Sequence, residues 1–375
     1  MKFLYLTLRN LFTISLLVVL SLPVTGQGLR FYSDTSKNAR NIVFPILLYT
    51  PETQFAVGAL GVRLWKNLHP EVPTRTSNAE LVVLYTSRGQ VIIIPRYTIF
   101  TRGEKYLIEG FGEELINFRD FYFGIGNNTS PDNREKFTYD VIGWENRVGR
   151  RIFKQKKLFA GIEARALKYY DMRLEHGGQL ETGQVTGYNG STSVGLGPCL
   201  TWDERDNVVN PSRGFYFDAR YSFYSKSLGG TVNYHRTYID LRKYFNVNPS
   251  LRHIVAMELV GNFVRGDAPI KEMAEFGGSR IMRGYYRGRF RDNYMTAFQA
   301  EYRAPVYKRI GVVAFAGLGK VYNPSEINFY DVHYMYGGGL RYIINKREKL
   351  NLRLDYARGD PHYLGYFYLG FSESF

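Results

Sequence analysis

The chain has 375 residues, with 49 lysines and arginines against 34 acidic residues, a formal charge of +15 and one cysteine. A lone cysteine excludes an internal disulfide, and beyond residue 26 no stretch approaches the roughly 18 consecutive apolar residues of a membrane-spanning helix. The 31 tyrosines, 26 phenylalanines and 38 glycines are too many for an ordinary soluble domain, and arginines spread along the chain argue against a nucleic-acid face.

Lys2 and Arg9 precede the apolar run LFTISLLVVLSL, which closes at Pro23, Thr25 and Gly26. Charged, then apolar, then small is the layout of a secretory signal peptide, and the run is too short to span a bilayer. Residues 1–26 are therefore expected to be a signal peptide, and 27–51 a short periplasmic lead-in.

From residue 52 to 375 the pattern is strand, turn, strand. In KLNLRLDYA, Leu350, Leu352, Leu354 and Tyr356 oppose Asn351, Arg353, Asp355 and Ala357. In VAMELVGNF, Val255, Met257, Leu259 and Phe263 oppose Glu258 and Asn262. At the end, Tyr363, Phe367, Leu369, Phe371 and Phe375 share one face. Period two with one apolar side marks a β-strand. The strands are long, and aromatics gather toward their ends as at membrane interfaces. A sheet in hydrocarbon must also close to satisfy its backbone. The reading is an all-β fold: a 16-stranded antiparallel transmembrane β-barrel in the bacterial outer membrane. Its strands are predicted near 52–65, 77–87, 90–102, 105–117, 119–128, 136–151, 157–171 and 190–203, then 213–225, 230–244, 251–265, 293–305, 309–320, 332–345, 349–358 and 363–375. With the first strand running outward, 66–76, 129–135, 172–189 and 266–292 are extracellular. The segments 88–89, 118, 152–156, 204–212, 245–250, 306–308, 346–348 and 359–362 are then periplasmic turns.

Nothing in the chain carries catalytic chemistry. Six histidines are scattered without metal-ligand spacing, so no metal or cofactor is expected. Asp203, Arg205 and Asp206 have no histidine beside them and read as turn chemistry. Cys199 reads as a packed side chain.

The loop at 266–292 contains FGGSRIMRGYYRGRF, residues 276–290. Glycines let such a segment fold back tightly, and arginine presents a rigid fork of donors to a carboxylate. A loop that enters its own barrel is expected to set Arg283 against an inward carboxylate. Phe298, Ala300 and Tyr302 take the membrane face of the next strand, which turns Glu301 inward; Asp355 and Glu258 point inward by the same alternation.

The stretch SRIMRGYYRG resembles the signature loop of the Omp85 superfamily, the outer-membrane assembly and translocation barrels. WDERDNVVNPSRG (202–214), AEYRAPV (300–306), GGGLRY, LRLDYA and the terminal Phe375 resemble further pieces of that family in order. The resemblance implies a lumen-inserted sixth extracellular loop with Met282-Arg283-Gly284-Tyr285 at its tip and Glu301 as the partner of Arg283, alone or with Asp355 sharing the role. It also implies Phe371 and Phe375 as a C-terminal barrel signal. The family segment aligned with GVVAFAGLGKV carries an aspartate where this chain has Gly317. Residues 27–51 are too few for the POTRA domains of the family's assembly members. The function implied is assistance in inserting, translocating or stabilising outer-membrane components, as a subunit of a complex, through a weak seam between 52–65 and 363–375. The alternatives are a partner-binding barrel without insertase activity and a passive pore. The partners implied are outer-membrane lipids and lipopolysaccharide, with outer-membrane proteins or lipoproteins, and no nucleic acid.

Overall fold

Strands with one apolar face satisfy their backbone in a membrane only by closing on themselves, and this chain closes. The computed structural model describes residues 39–65, 74–208, 210–325, 330–345, 349–359, 361 and 364–375. Its barrel strands are β1 (Ala39–Thr50), β2 (Gln54–Trp65), β3 (Ser77–Thr86), β4 (Val91–Phe100), β5 (Tyr106–Tyr122), β6 (Glu135–Arg151), β7 (Leu158–Arg173) and β8 (Ser191–Asp203). They continue as β9 (Gly214–Tyr224), β10 (Tyr234–Asn248), β11 (His253–Gly266), β14 (Tyr294–Tyr307), β15 (Ile310–Tyr322), β16 (His333–Asn345), β17 (Leu350–Arg358) and β18 (Tyr366–Phe371). These sixteen form one closed antiparallel ring, with β1 beside β18. A two-stranded hairpin, β12 (Ala274–Phe276) and β13 (Phe290–Asp292), lies within the connection from β11 to β14.

The expected number of strands is met, but two of the expected boundaries are corrected. Residues 39–50, expected in a lead-in, are the first barrel strand and pair along their whole length with β2. The expected strands 105–117 and 119–128 are one strand, β5. It bends where the register shifts between Leu115 and Phe118, and Asn117 there has φ 55°. There is no turn at 118. Adding one strand and removing another preserves the count but reverses the early connections. The described part of 66–76 sits at the turn end: Arg75 bonds Glu104 and Asp203 at 3.1 Å each. The 88–89 turn sits at the loop end, where Arg88 donates to the Glu52 carbonyl. Gly359, in the described part of the 359–362 connection, belongs there too, since it packs against the Tyr285 ring. Residues 1–38, including the expected signal peptide, lie outside the described residues.

Alternation sorts the side chains as a membrane barrel requires. Leu354 and Tyr356 are exposed on the outer face, whereas Glu258, Glu301 and Asp355 are buried inward. The tail departs from the expected alternation. Ser372 has φ 63°, so the last residues leave the strand and Phe375 turns inward against Tyr244 and Ala256. Its carbonyl accepts from Arg303 at 2.9 Å. Phe371 and Phe375 therefore do not share an outer face.

Candidate functional site

The connection between β11 and β14, residues 267–293, is the longest loop and the most heavily bonded. Its tip is shaped by Gly284, with φ +95°, where a Cβ would lie 2.6 Å from the Arg358 backbone. A side chain there would push the tip off β17. Met282 beside it also has a positive φ and is fully buried, so the surrounding packing enforces a backbone conformation that L residues disfavour.

Arg283 is fully buried. One terminal nitrogen donates to Asp355 on β17 at 2.7 Å, and the other donates to Glu301 on β14. Its guanidinium lies 3.6 Å from the centre of the Phe315 ring on β15. The two carboxylates do not serve Arg283 alone. Arg303 donates to Glu301 at 2.9 Å, Arg341 donates to Asp355 at 2.5 Å, and Arg341 also reaches Glu373 at 2.7 Å. Charges of alternating sign thus link the loop tip, three strands and the tail, and each buried charge has a partner, as burial demands. Glu258 is turned elsewhere: it pairs with Arg280 at 3.0 Å and Arg242 at 3.1 Å. Position 317 has no room for an acid. A Cβ there would meet the Met335 methyl carbon and the Phe298 carbonyl at 2.8 Å each, and the second carboxylate against Arg283 comes from β17.

The first half of the loop is anchored separately. Glu272 lies between Arg165 on β7 and Arg236 on β10, 3.1 Å from the latter, and accepts from the Tyr234 hydroxyl at 3.1 Å. Burial pushes its carboxyl up, but the two guanidiniums outweigh burial and hold it at about 2. Lys271 pairs with Asp120 on β5. Burial likewise raises the Glu275 carboxyl, and Lys271, Arg291 and Arg287 bring it down to about 2. The loop therefore bonds β5, β7, β10, β14 and β17. These strands are spread around the closed ring.

The junction between β1 and β18 is unlike the others. Among the described residues its register is a single pair, Tyr49 with Leu369, whereas β1 and β2 share twelve, from Ala39–Trp65 to Thr50–Gln54. The loop is fastened to both sides of this seam. On the β1–β2 turn, the Arg287 amide donates to Glu52 at 3.0 Å. On β18, the Gly284 amide donates to the Tyr368 hydroxyl at 3.0 Å. Burial raises the pKa of Glu52, and the Arg287 amide opposes that shift only in part.

Elsewhere the chemistry is structural. Arg205 folds back on Asp203 at 2.8 Å, and Asp206 accepts from the Ser212 amide at 2.8 Å, which closes the turn after β8. A cavity of about 220 Å³ is lined by Glu145, Glu163, Arg165, Arg220 and Arg236 among others. All three of these arginines are already ion-paired. Among the described residues no group of three or more His, Cys, Asp or Glu side chains could hold a metal ion.

Comparison with known proteins agrees with this geometry. The family described as the Omp85 superfamily domain matches residues 105–375. The chain belongs to the Omp85 superfamily. Among solved structures, BamA from Haemophilus ducreyi lacking POTRA domains 1–3 superposes with a TM-score of 0.57 at 12% identity, over 89% of this chain and 70% of that one. CdiB from Acinetobacter baumannii gives 0.54 at 10% identity, over 90% of this chain and 59% of that one. At such identities the likeness is one of fold. No curated protein matches the sequence. This is an Omp85 barrel of the bacterial outer membrane.

Arg303, Arg341, Glu373, Glu272 and Glu52 were not singled out from the sequence. Arg303 and Arg341 occupy inward positions of predicted strands, which was the available signal. Glu52 had none, because it lies in a turn whose first strand went unrecognised.

Proposed function

We propose that this Omp85 barrel assists the insertion or stabilisation of other outer-membrane components by exchanging strand pairing at the junction of β1 and β18. The observation that carries the reading is the reduction of that junction to one register pair, Tyr49 with Leu369, among the described residues. An edge with unpaired backbone groups is a template for an incoming strand. In hydrocarbon those groups have no water to turn to, so a client strand that pairs with β1 or β18 relieves a real cost. Arg283, Glu301 and Asp355 hold the loop and keep the rest of the ring rigid while the seam exchanges. They are positioning residues, and the function requires no catalytic group.

A photocrosslinking residue replacing Leu47, which is exposed on the outer face of β1, tests this in native membranes. Crosslinks to outer-membrane polypeptides are expected at Leu47 and not at Leu241 on β10. The pair Tyr49→Cys and Leu369→Cys, which face each other across the seam, in a Cys199→Ser background, is expected to lock the seam when oxidised and abolish those crosslinks. Absence of client crosslinks in the unlocked protein would sink the reading.

The second reading is a partner-binding barrel subunit that never opens. The observation favouring it is that the loop ties both sides of the seam, through Glu52 and Tyr368. It predicts that the oxidised, locked protein retains full function and its partners.

A further inference from the structure

The two mouths of the barrel differ in charge. Among the described residues, the connections at the turn end, 74–76, 101–105, 152–157, 204–208, 210–213, 249–252, 308–309 and 349, hold twelve lysines and arginines against three acidic residues. At the loop end, the described residues of 51–53, 87–90, 123–134, 174–190, 225–233, 323–325, 330–332 and 359–365 hold three against five, the 267–293 loop aside. We infer that the turn end is a collar that binds the anionic headgroups of phospholipids in the leaflet facing the periplasm.

The placement of the lysines supports a membrane partner. Each of four lies over an aromatic ring near the mouth: Lys105 over Tyr106 at 5.6 Å, Lys156 over Trp202 at 5.2 Å, Lys243 over Phe245 at 5.5 Å and Lys308 over Tyr307 at 4.9 Å. Trp202 and Phe245 take the outer, lipid-facing side of their strands, because their neighbours Asp203 and Tyr244 are buried inward. Rings at that depth occupy the headgroup boundary, and a lysine above them extends its stem along the ring and its ammonium to the phosphates.

Apolar side chains complete the surface. Ile152 is 50% exposed and Phe153 55%, in a turn shared with Lys154 and Lys156, and Val306 is 64% exposed beside Lys308. In water these would be unfavourable; dipped into a leaflet, with cations at their rim, they are not. Lys105, Lys154, Lys156 and Lys308 are all exposed, and among the described residues none of the four has an acidic partner. A compact acidic protein would account for the charge. It would not account for cations repeated over lipid-facing rings around the mouth.

The full chain, purified in a non-ionic detergent, would be titrated with palmitoyl-oleoyl phosphatidylglycerol or the matching phosphatidylcholine, and bound lipid read by native mass spectrometry. Each cation near an anionic surface strengthens attraction roughly fivefold, so a phosphatidylglycerol preference of at least about tenfold is expected. Lys105→Gln, Lys154→Gln, Lys156→Gln and Lys308→Gln combined should bring the ratio close to one, whereas Arg134→Gln with Lys226→Gln at the other mouth should leave it unchanged. Heat-dependent migration on a gel checks that each variant is folded, and the wild-type ratio decides the matter if the quadruple variant is not. Equal retention of the two lipids by the wild type overturns the proposal, as does a preference that survives the quadruple change. An acidic protein copurifying with the wild type, lost from the variant, with no lipid preference in either, also overturns it and assigns the collar to that protein.

Discussion

The junction of β10 with β11 and that of β1 with β18 share one backbone geometry and differ in how they hold together. The first pairs from Tyr234–Gly266 to Asn248–His253, through fourteen partners. The second pairs at Tyr49–Leu369 among the described residues, and its two sides are instead tied to a common third element, through Glu52 and Tyr368. A ladder of hydrogen bonds opens only by losing many contacts together. Two point ties to one loop can be released one at a time. The contrast shows how a barrel keeps a rigid wall and one soft junction in the same sheet.

Hydrogen exchange probes the contrast most directly. Amides of β1 and β18 that face each other are expected to exchange on the order of a hundredfold faster than those between β10 and β11, as for locally opening segments. Equal protection would remove the distinction. Arg283→Ala should give the largest loss of stability. It leaves Glu301 and Asp355 buried without their shared partner, at a cost of about 3–5 kcal/mol, read as a lowered temperature for loss of the compact form on a gel. Glu272 tests the far end of the loop. Its carboxyl is held at about 2, below the ordinary 4.5. Its contribution is therefore complete above about pH 4.5 and lost as the pH falls toward 2, and Glu272→Gln should flatten that acid limb in a thermal melt.

Smaller effects sharpen the seam itself. Tyr368→Phe removes the acceptor for the buried Gly284 amide, at about 1–2 kcal/mol, and should raise exchange in β18 while β10 is unchanged. Glu52→Gln should cost less than about 1 kcal/mol, since an amide side chain can still accept from Arg287. Its signature is in pH: burial raises the Glu52 carboxyl, so this buried turn is most stable with Glu52 protonated and loses stability as the pH rises from the ordinary 4.5 toward that raised value. Seam exchange should follow this trend in the wild type and lose it in the variant.

Much of the architecture was legible because a closed membrane sheet writes its two faces in alternate residues. The strands around Leu354 and Glu258 could be read directly. The first strand could not. ARNIVFPILLYT carries Pro45, which has no amide to donate to a ladder and reads as a break, yet it pairs with Ala59 of β2 inside the strand. The bend in β5 was mistaken for a turn because the shift at Asn117 moves the inward face by one residue, and the alternation restarts out of phase. The arginine and two carboxylates at the loop tip were legible from glycine spacing, inward register and family resemblance together. The wider network was not, because almost every inward face carries a charge and sequence alone does not say which of them meet.

The unequal charge of the two mouths has a consequence outside the membrane. It makes the barrel a body with a strong electrical axis along its length. On a negatively charged support such as freshly cleaved mica, the detergent-purified barrel should settle on its turn end and leave its long loops facing upward. A population oriented in that way would let a scanning tip sample one mouth alone.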